Sequence, residues 1–168
     1  MTYNVTRTRS QKKPSTAGGG VRSLATAIAV PVALTLADIM WYGGGQAYKD
    51  LDLPFWMPSL WVLHLTCLST AFVMGLSAWL VWAESGFHRT PSAIVMYLAQ
   101  LGFSLAWNPI FFKMDAIRVA LAVNLAQMAT IFSCSHMFGR LNPIAGDLVK
   151  LCLVWTGYLT VVNLYFVL

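Results

Sequence analysis

The sequence predicts an all-α protein, an integral membrane bundle of five transmembrane helices. Three observations carry this expectation. Of 168 residues, 58% are hydrophobic and only 10% are charged, against about 25% charged in an ordinary soluble domain. So few charges cannot cover a water-facing surface. The apolar residues fall in five blocks, each close to the roughly 20 residues that a helix rising about 1.5 Å per residue needs to cross the hydrocarbon. Tryptophans gather at block ends, with Trp56, Trp61, Trp79 and Trp82 around the second. There the ring's apolar body meets lipid and its N–H reaches the headgroups.

Residues 1–22 read as a basic, irregular tail in which Arg7, Arg9, Lys12, Lys13 and Arg22 occur without an acid. A solvated arm touching anionic lipid accounts for the net charge of +5 without invoking nucleic acid. The tail is also Ser/Thr/Arg-rich, a faint mitochondrial targeting character that Pro14 and the Gly18–Gly20 run interrupt. The five-helix domain occupies residues 23–168, with spans at about 23–41, 58–83, 91–112, 119–139 and 144–168. Pro31 marks a kink in the first span. Pro58, Pro91 and Pro143 stand where helices begin, because a first-turn N–H has no intrahelical partner to lose. Thr90 and Asn142 are placed to cap the third and fifth spans. Short connections make successive helices antiparallel neighbours. The longer Tyr42–Met57 connection, with Gly43, Gly44 and Gly45 and then Pro54, Phe55 and Trp56, is expected to fold back over the bundle. Eight cations fall on the side of the tail and three (Lys49, Lys113, Arg118) on the other, which predicts a cytoplasmic N-terminus.

In lipid, small residues that allow close approach mark helix contacts, and Ala71, Gly75 and Ala78 give the second span such a seam. His64 lies on the same broad face. A lone histidine in a spanning helix turns toward the bundle interior. It is either a neutral imidazole bonded to a backbone carbonyl or the axial ligand or polar contact of a bound cofactor, since imidazole is a common iron ligand. His88 and His136, in a loop and near a helix end, read as interfacial. Gln100, Ser104, Trp107 and Phe111 recur at steps of four, three and four, a polar-then-aromatic stripe on the third span. Asn124 and Gln127 share a side of the fourth, and Trp155, Tyr158 and Asn163 lie on the fifth. Such stripes serve either as interhelical glue or as the lining for a flat aromatic ligand with a few polar edges. Cys67, Cys134 and Cys152 sit inside apolar runs without paired spacing, which implies neither a disulfide framework nor a structural metal. The six acids lie in loops or near helix ends, and no catalytic triad, phosphate loop or carboxylate pair is visible. The chain therefore reads as a binding protein and not an enzyme.

Pro54-x-Trp56-x-Pro58, then Trp61, Met74-Gly75 and Trp82, resembles the W-x-P-P…M-G signature of the translocator protein family, the tryptophan-rich sensory proteins. Gln100-Leu101…Ala106-Trp107-x-Pro109-Ile110-Phe111-Phe112 is similar to the family's third-helix motif, and Trp155…Asn163 to its fifth. Leu63-His64-Leu65, Gly86-Phe87-His88, Tyr97–Gln100 and Pro143–Lys150 look like the plant branch. The resemblance runs from about Trp41 to the C-terminus. It implies a five-helix bundle that binds haem or other porphyrins and, in animals, cholesterol and benzodiazepine-type drugs. It also implies a homodimer and, for plant members, stress-linked expression in the endoplasmic reticulum and Golgi, with the mitochondrial outer membrane as the alternative. At Ser59, Cys67, Ser104-Leu105 and Leu151-Cys152 the sequence departs from the pattern, so drug affinity of the animal type is not carried over.

Residues and resemblance together point to a receptor or scavenger for haem, a related tetrapyrrole or a sterol-like lipid. His64 is the expected polar contact or axial iron ligand. Trp107, Phe111, Trp155 and Tyr158 are the expected aromatic walls, with Gln100, Ser104, Trp56 and Trp61 as further ligand contacts and the Trp41–Trp56 connection as a lid. Transport of the ligand, breakdown of a porphyrin and an adaptor role toward other membrane proteins are the competing readings.

Overall fold

The computed structural model describes residues 17–49, 55–85 and 91–168. In chain order these form α1 (Ala17–Tyr42), a short α2 (Gly45–Lys49), α3 (Leu60–Ser85) and α4 (Pro91–Asn108), which runs into a π-helical turn (Pro109–Lys113). Then follow α5 (Ile117–Leu141) and α6 (Pro143–Val167). Among the described residues, five segments are long and apolar enough to cross a membrane: Gly19–Tyr42, Leu60–Glu84, Pro91–Lys113, Ile117–Leu141 and Pro143–Val167. Helix is the form these blocks take because hydrocarbon offers no partner for backbone N–H and C=O groups, so each must be satisfied within its own segment. Phe72, Leu98, Leu125, Phe132 and Val154 point outward, a surface that suits a bilayer and not water.

Several boundaries differ from the sequence reading, each for a local reason. α1 begins at Ala17, inside the stretch read as tail, and takes in the glycine run. A glycine costs a helix about 1 kcal/mol relative to alanine, less than unsatisfied backbone costs at a membrane surface. α3 begins at Leu60, two residues after Pro58, because the Ser59 carbonyl accepts from Val62 N at 3.0 Å and Leu63 N at 3.1 Å. Pro58 stays outside the helix with its carbonyl taken by the Tyr48 hydroxyl. Thr90 and His88, together with residues 1–16 and 50–54, lie outside the described residues. Asn142 caps α6 as expected: its side chain accepts from Ala145 N at 3.1 Å, while its own N–H bonds the Phe138 carbonyl at 2.7 Å. That one residue turns α5 into α6.

The third span is not regular to its end. Pro109 has no N–H to return to the preceding turn, and its ring crowds the carbonyl it would have bonded. The helix widens there, with Met114 N donating to Pro109 O at 3.0 Å and Ala116 N to Ile110 O at 3.2 Å. Asp115, at φ 51°, reverses the chain into α5.

α5 and α6 lie along one another most extensively, α1 packs on α3, α4 on α5, and α3 on α6. The seam of Ala71, Gly75 and Ala78 is buried, and Gly75 sits against the Ala27 and Ile28 backbone and the Pro31 ring of α1. Two apolar clusters form. One gathers Met74, Val81, Ile131, Phe138 and Val149. The other, toward the α1–α3 connection, gathers Tyr48, Leu63, Trp107, Phe111, Ala120 and Leu159.

Candidate functional site: a lidded polar chamber

Along each helix the two clusters are separated by the same kind of step. On α3 the order is Leu63, then Cys67 and Thr70, then Met74. On α6 it is Leu159, Thr156, then Cys152. The step is a polar layer of Thr35, Thr70, Ser104, Asn108, Gln127 and Thr156, closed by Trp107 and Trp155, around a chamber of about 20 Å³. That is room for one water. Its chemistry is one-sided. The Trp107 Nε1 and Thr35 Oγ1 atoms are buried without a hydrogen-bond partner, and Trp155 Nε1 has only the Cys67 sulfur beside it. Indole N–H groups are donors only, so the chamber calls for an acceptor oxygen. Behind it, Asn108 Nδ2 donates to the Asp38 carboxylate at 2.5 Å. Asp38, one turn from the end of α1 as the sequence placed it, is only 8% exposed, a burial that its position near a helix end does not announce.

The residues singled out from the sequence divide between wall, latch and outer surface. Trp107 and Phe111 are both buried and stack at 4.9 Å between centroids. Ser104 lines the chamber. Gln100 is buried farther along α4, with Oε1 unpartnered. Trp155 stacks on Tyr158 at 5.3 Å, but the Tyr158 hydroxyl donates to the Trp56 carbonyl at 2.9 Å. Tyr158 thus ties down the connection as well as extending the wall, and the Trp56 ring meets Tyr165 edge-on at 5.6 Å. Trp61, 67% exposed, stands on the outer face of α3 away from this group. His64, half-buried, lies one turn from Cys67 with its ring against Gly43, and its buried Nε2 has only the Gly43 backbone beside it. Thr35, Asp38, Cys67, Asn108 and Gln127 complete the site. The spacing of Thr35 and Asp38 by three on α1 was the available signal for two of them.

The described part of the α1–α3 connection closes this end of the bundle. Gly44 holds φ 60°, and a Cβ there would overlap the Phe112 ring, so only glycine lets the chain turn this tightly. α2 follows and delivers Tyr48, 5% exposed, onto Phe112 at 6.3 Å. The Tyr48 hydroxyl donates to the Pro58 carbonyl, and Lys113 lies 5.3 Å over the Tyr42 ring.

Burial, and then the neighbouring Tyr158, push the Tyr48 phenol above its ordinary value of 10.0. A raised folded-state value means that its contribution is complete below the unfolded value and is lost as pH rises through the folded one. The latch is therefore insensitive to pH near neutrality. Tyr48→Phe is expected to speed amide exchange over residues 45–49 about fivefold at pH 7, the loss of one hydrogen bond of about 1 kcal/mol. It should also remove Tyr48's share of the loosening of the wild-type lid above about pH 10, leaving that of Tyr158. Exchange mass spectrometry in detergent checks both.

Five spanning helices around a lidded interior chamber define an integral, multi-pass membrane protein with an enclosed site. The TspO/MBR family model matches residues 24–168, and the chain belongs to that family. It is 42% identical to a translocator protein homolog of Arabidopsis thaliana over 156 residues, 92% of this chain and 79% of the relative. The tryptophan-rich sensory protein of Cereibacter sphaeroides is 34% identical over 69% of this chain and 72% of its own length. The human translocator protein is 31% identical over 71% and 72% respectively.

The tetrapyrrole that this family implies can be tested against these residues. The donor fits, because an imidazole nitrogen with only one backbone group beside it is free enough to serve as a single axial contact. The room does not: a chamber of about 20 Å³ cannot take a macrocycle.

Proposed function

We propose that the chain is a membrane receptor or scavenger for haem or a related tetrapyrrole, a binding protein and not an enzyme. The observation that supports this reading best is His64, a half-buried imidazole whose Nε2 lies against the Gly43 backbone and no other polar group, set beneath a lid held by a few side-chain contacts. An ionisable side chain in a spanning helix is expensive to keep without a use. The relatives are named translocator and sensory proteins, which agrees with the handling of a ligand. Release of the Tyr48–Pro58 and Tyr158–Trp56 contacts frees α2 to swing away. His64 then offers one neutral donor, the stacked Trp107 and Phe111 offer a flat apolar face, and the indole N–H groups of the chamber take acceptor oxygens at the ligand's edge. A sterol-like lipid with one oxygen would use the same face without the imidazole.

Haemin titration of the purified protein is expected to give a shifted Soret band, and His64→Ala to lose that shift together with at least about tenfold in affinity, roughly 1.4 kcal/mol. An unchanged spectrum and affinity in the variant removes His64 from the mechanism. Accumulation of the ligand in sealed vesicles would mark a transporter, its progressive loss by mass a degrading enzyme, and a co-purified membrane protein an adaptor. Residence in the endoplasmic reticulum and Golgi, stress-linked expression, a cytoplasmic N-terminus, a basic tail ahead of the five-helix domain and a homodimeric state belong to the same proposal.

A further inference from the structure

At the end of the bundle away from the lid, α5 and α6 part around an open crevice of about 340 Å³, within the size range of small-ligand sites. Its floor is Ser135, Gly139 and Gly146, where the two helices touch. On α5, His136 and Arg140 stand one turn apart on the rim. Phe132 lies a further turn into the membrane on the same face and is 64% exposed. α6 contributes Asp147 and Lys150, which pair with each other at 2.7 Å. The crevice's acid is thus already occupied, and Arg140 has no ion-pair partner among the described residues. The backbone donors at the start of α6 are also taken: Ala145 N bonds Asn142 Oδ1 and Gly146 N bonds Asn142 O. Recognition at this place falls to side chains, with two basic residues against one acid.

From the helix ends inward, the chemistry runs from cation to imidazole to exposed aromatic ring. A free anion would use only the first of these. A phospholipid uses all of them, with its phosphate at the rim and an acyl chain against Phe132. We propose that this crevice binds the phosphate headgroup of an anionic membrane phospholipid, with Arg140 and Lys150 as the headgroup contacts. Arginine suits the task because its planar guanidinium matches two phosphate oxygens at once, and basic pockets between spanning helices at the membrane surface collect acidic headgroups. The site is independent of the lidded chamber and would tie the protein to the acidic lipid of one leaflet.

The test uses the full chain reconstituted in vesicles of phosphatidylcholine containing phosphatidic acid, with retained lipid counted by native mass spectrometry. The wild type is expected to keep phosphatidic acid over phosphatidylcholine by about fivefold or more per contributing cation. Arg140→Gln combined with Lys150→Gln should bring the preference below about twofold. The control Lys49→Gln combined with Arg118→Gln, equal in charge and at the other end of the bundle, should leave it unchanged. All four side chains are exposed, so folding is not at stake. Equal loss in the control, or no preference in the wild type, overturns the proposal. Displacement of the lipid by inorganic phosphate at matching concentration also overturns it, because the crevice would then be a site for soluble anions.

Discussion

Gly146→Val is expected to leave little folded protein in detergent, with aggregation on size-exclusion chromatography and a cost of at least about 3 kcal/mol. A Cβ at this position would lie 2.5 Å from Gly139 Cα, 2.9 Å from Gly139 N and 3.2 Å from Ser135 O. All three are backbone atoms, which cannot rotate out of the way as a side chain can. Nor can α6 back off as a body, because Asn142 alone joins it to α5 and is bonded to both helices. Separating α5 from α6 would also disturb Cys134, Phe138, Ala145 and Val149, which share one buried cluster. Gly75→Val should act similarly between α3 and α1, where a Cβ would lie 2.5 Å from the Ala27 carbonyl oxygen. Gly102→Ala and Gly157→Ala are the controls: nothing lies within 4 Å of either position, so both should stay within about 1 kcal/mol of wild type. If the controls lose as much as Gly146→Val, close approach does not set the requirement for glycine, because alanine favours a helix over glycine.

Much of this architecture was legible because the bilayer imposes it. The length of each apolar block fixed the number of spans, and Pro91, Pro143 and Asn142 marked helix starts through their backbone chemistry alone. The stripe of Gln100, Ser104, Trp107 and Phe111 turned inward as its spacing implied. The Gly139–Gly146 contact was not legible. Its two members lie on different helices, and nothing in either helix taken singly distinguishes them from Gly102 or Gly157. The π-helical turn after Asn108 was missed for a related reason: Pro109 announces a disturbance, but whether the helix ends, bends or widens depends on what packs around Trp107 and Phe111. The chamber was half visible. Its aromatic wall follows from periodicity, whereas the burial of Asp38 near the end of α1 depends on Asn108, which the fold brings to it across 70 residues. Tyr158 shows the limit most plainly. Spacing placed it on the interior face, yet its hydroxyl is bonded to the lid, and no pattern within α6 can reveal a partner on another segment.

Asn108→Leu is expected to be among the most damaging polar substitutions in the bundle, lowering stability by about 3 kcal/mol. Its amide is the side-chain donor to the Asp38 carboxylate, at 2.5 Å, and both residues are buried inside spanning segments. A carboxyl group so placed, with no ion-pair partner among the described residues, loses its compensation when the amide is removed. The penalty should exceed that of deleting the pair. Asp38→Leu combined with Asn108→Leu is therefore expected to recover at least half of the loss, since two apolar groups of similar shape leave nothing unsatisfied. Thermal denaturation of the four proteins in one detergent gives the coupling energy directly. Additive losses, or a neutral Asn108→Leu, would show that the contact does not carry the junction. The position of the pair gives the result a functional edge. Asn108 stands between Trp107, which walls the chamber, and Pro109, where α4 widens. The contact therefore fastens α1, from which the lid departs, to the helix that forms the wall. If the contact sets that geometry, the double variant should fold and yet bind haemin less tightly than wild type, separating the shape of the site from the stability of the bundle.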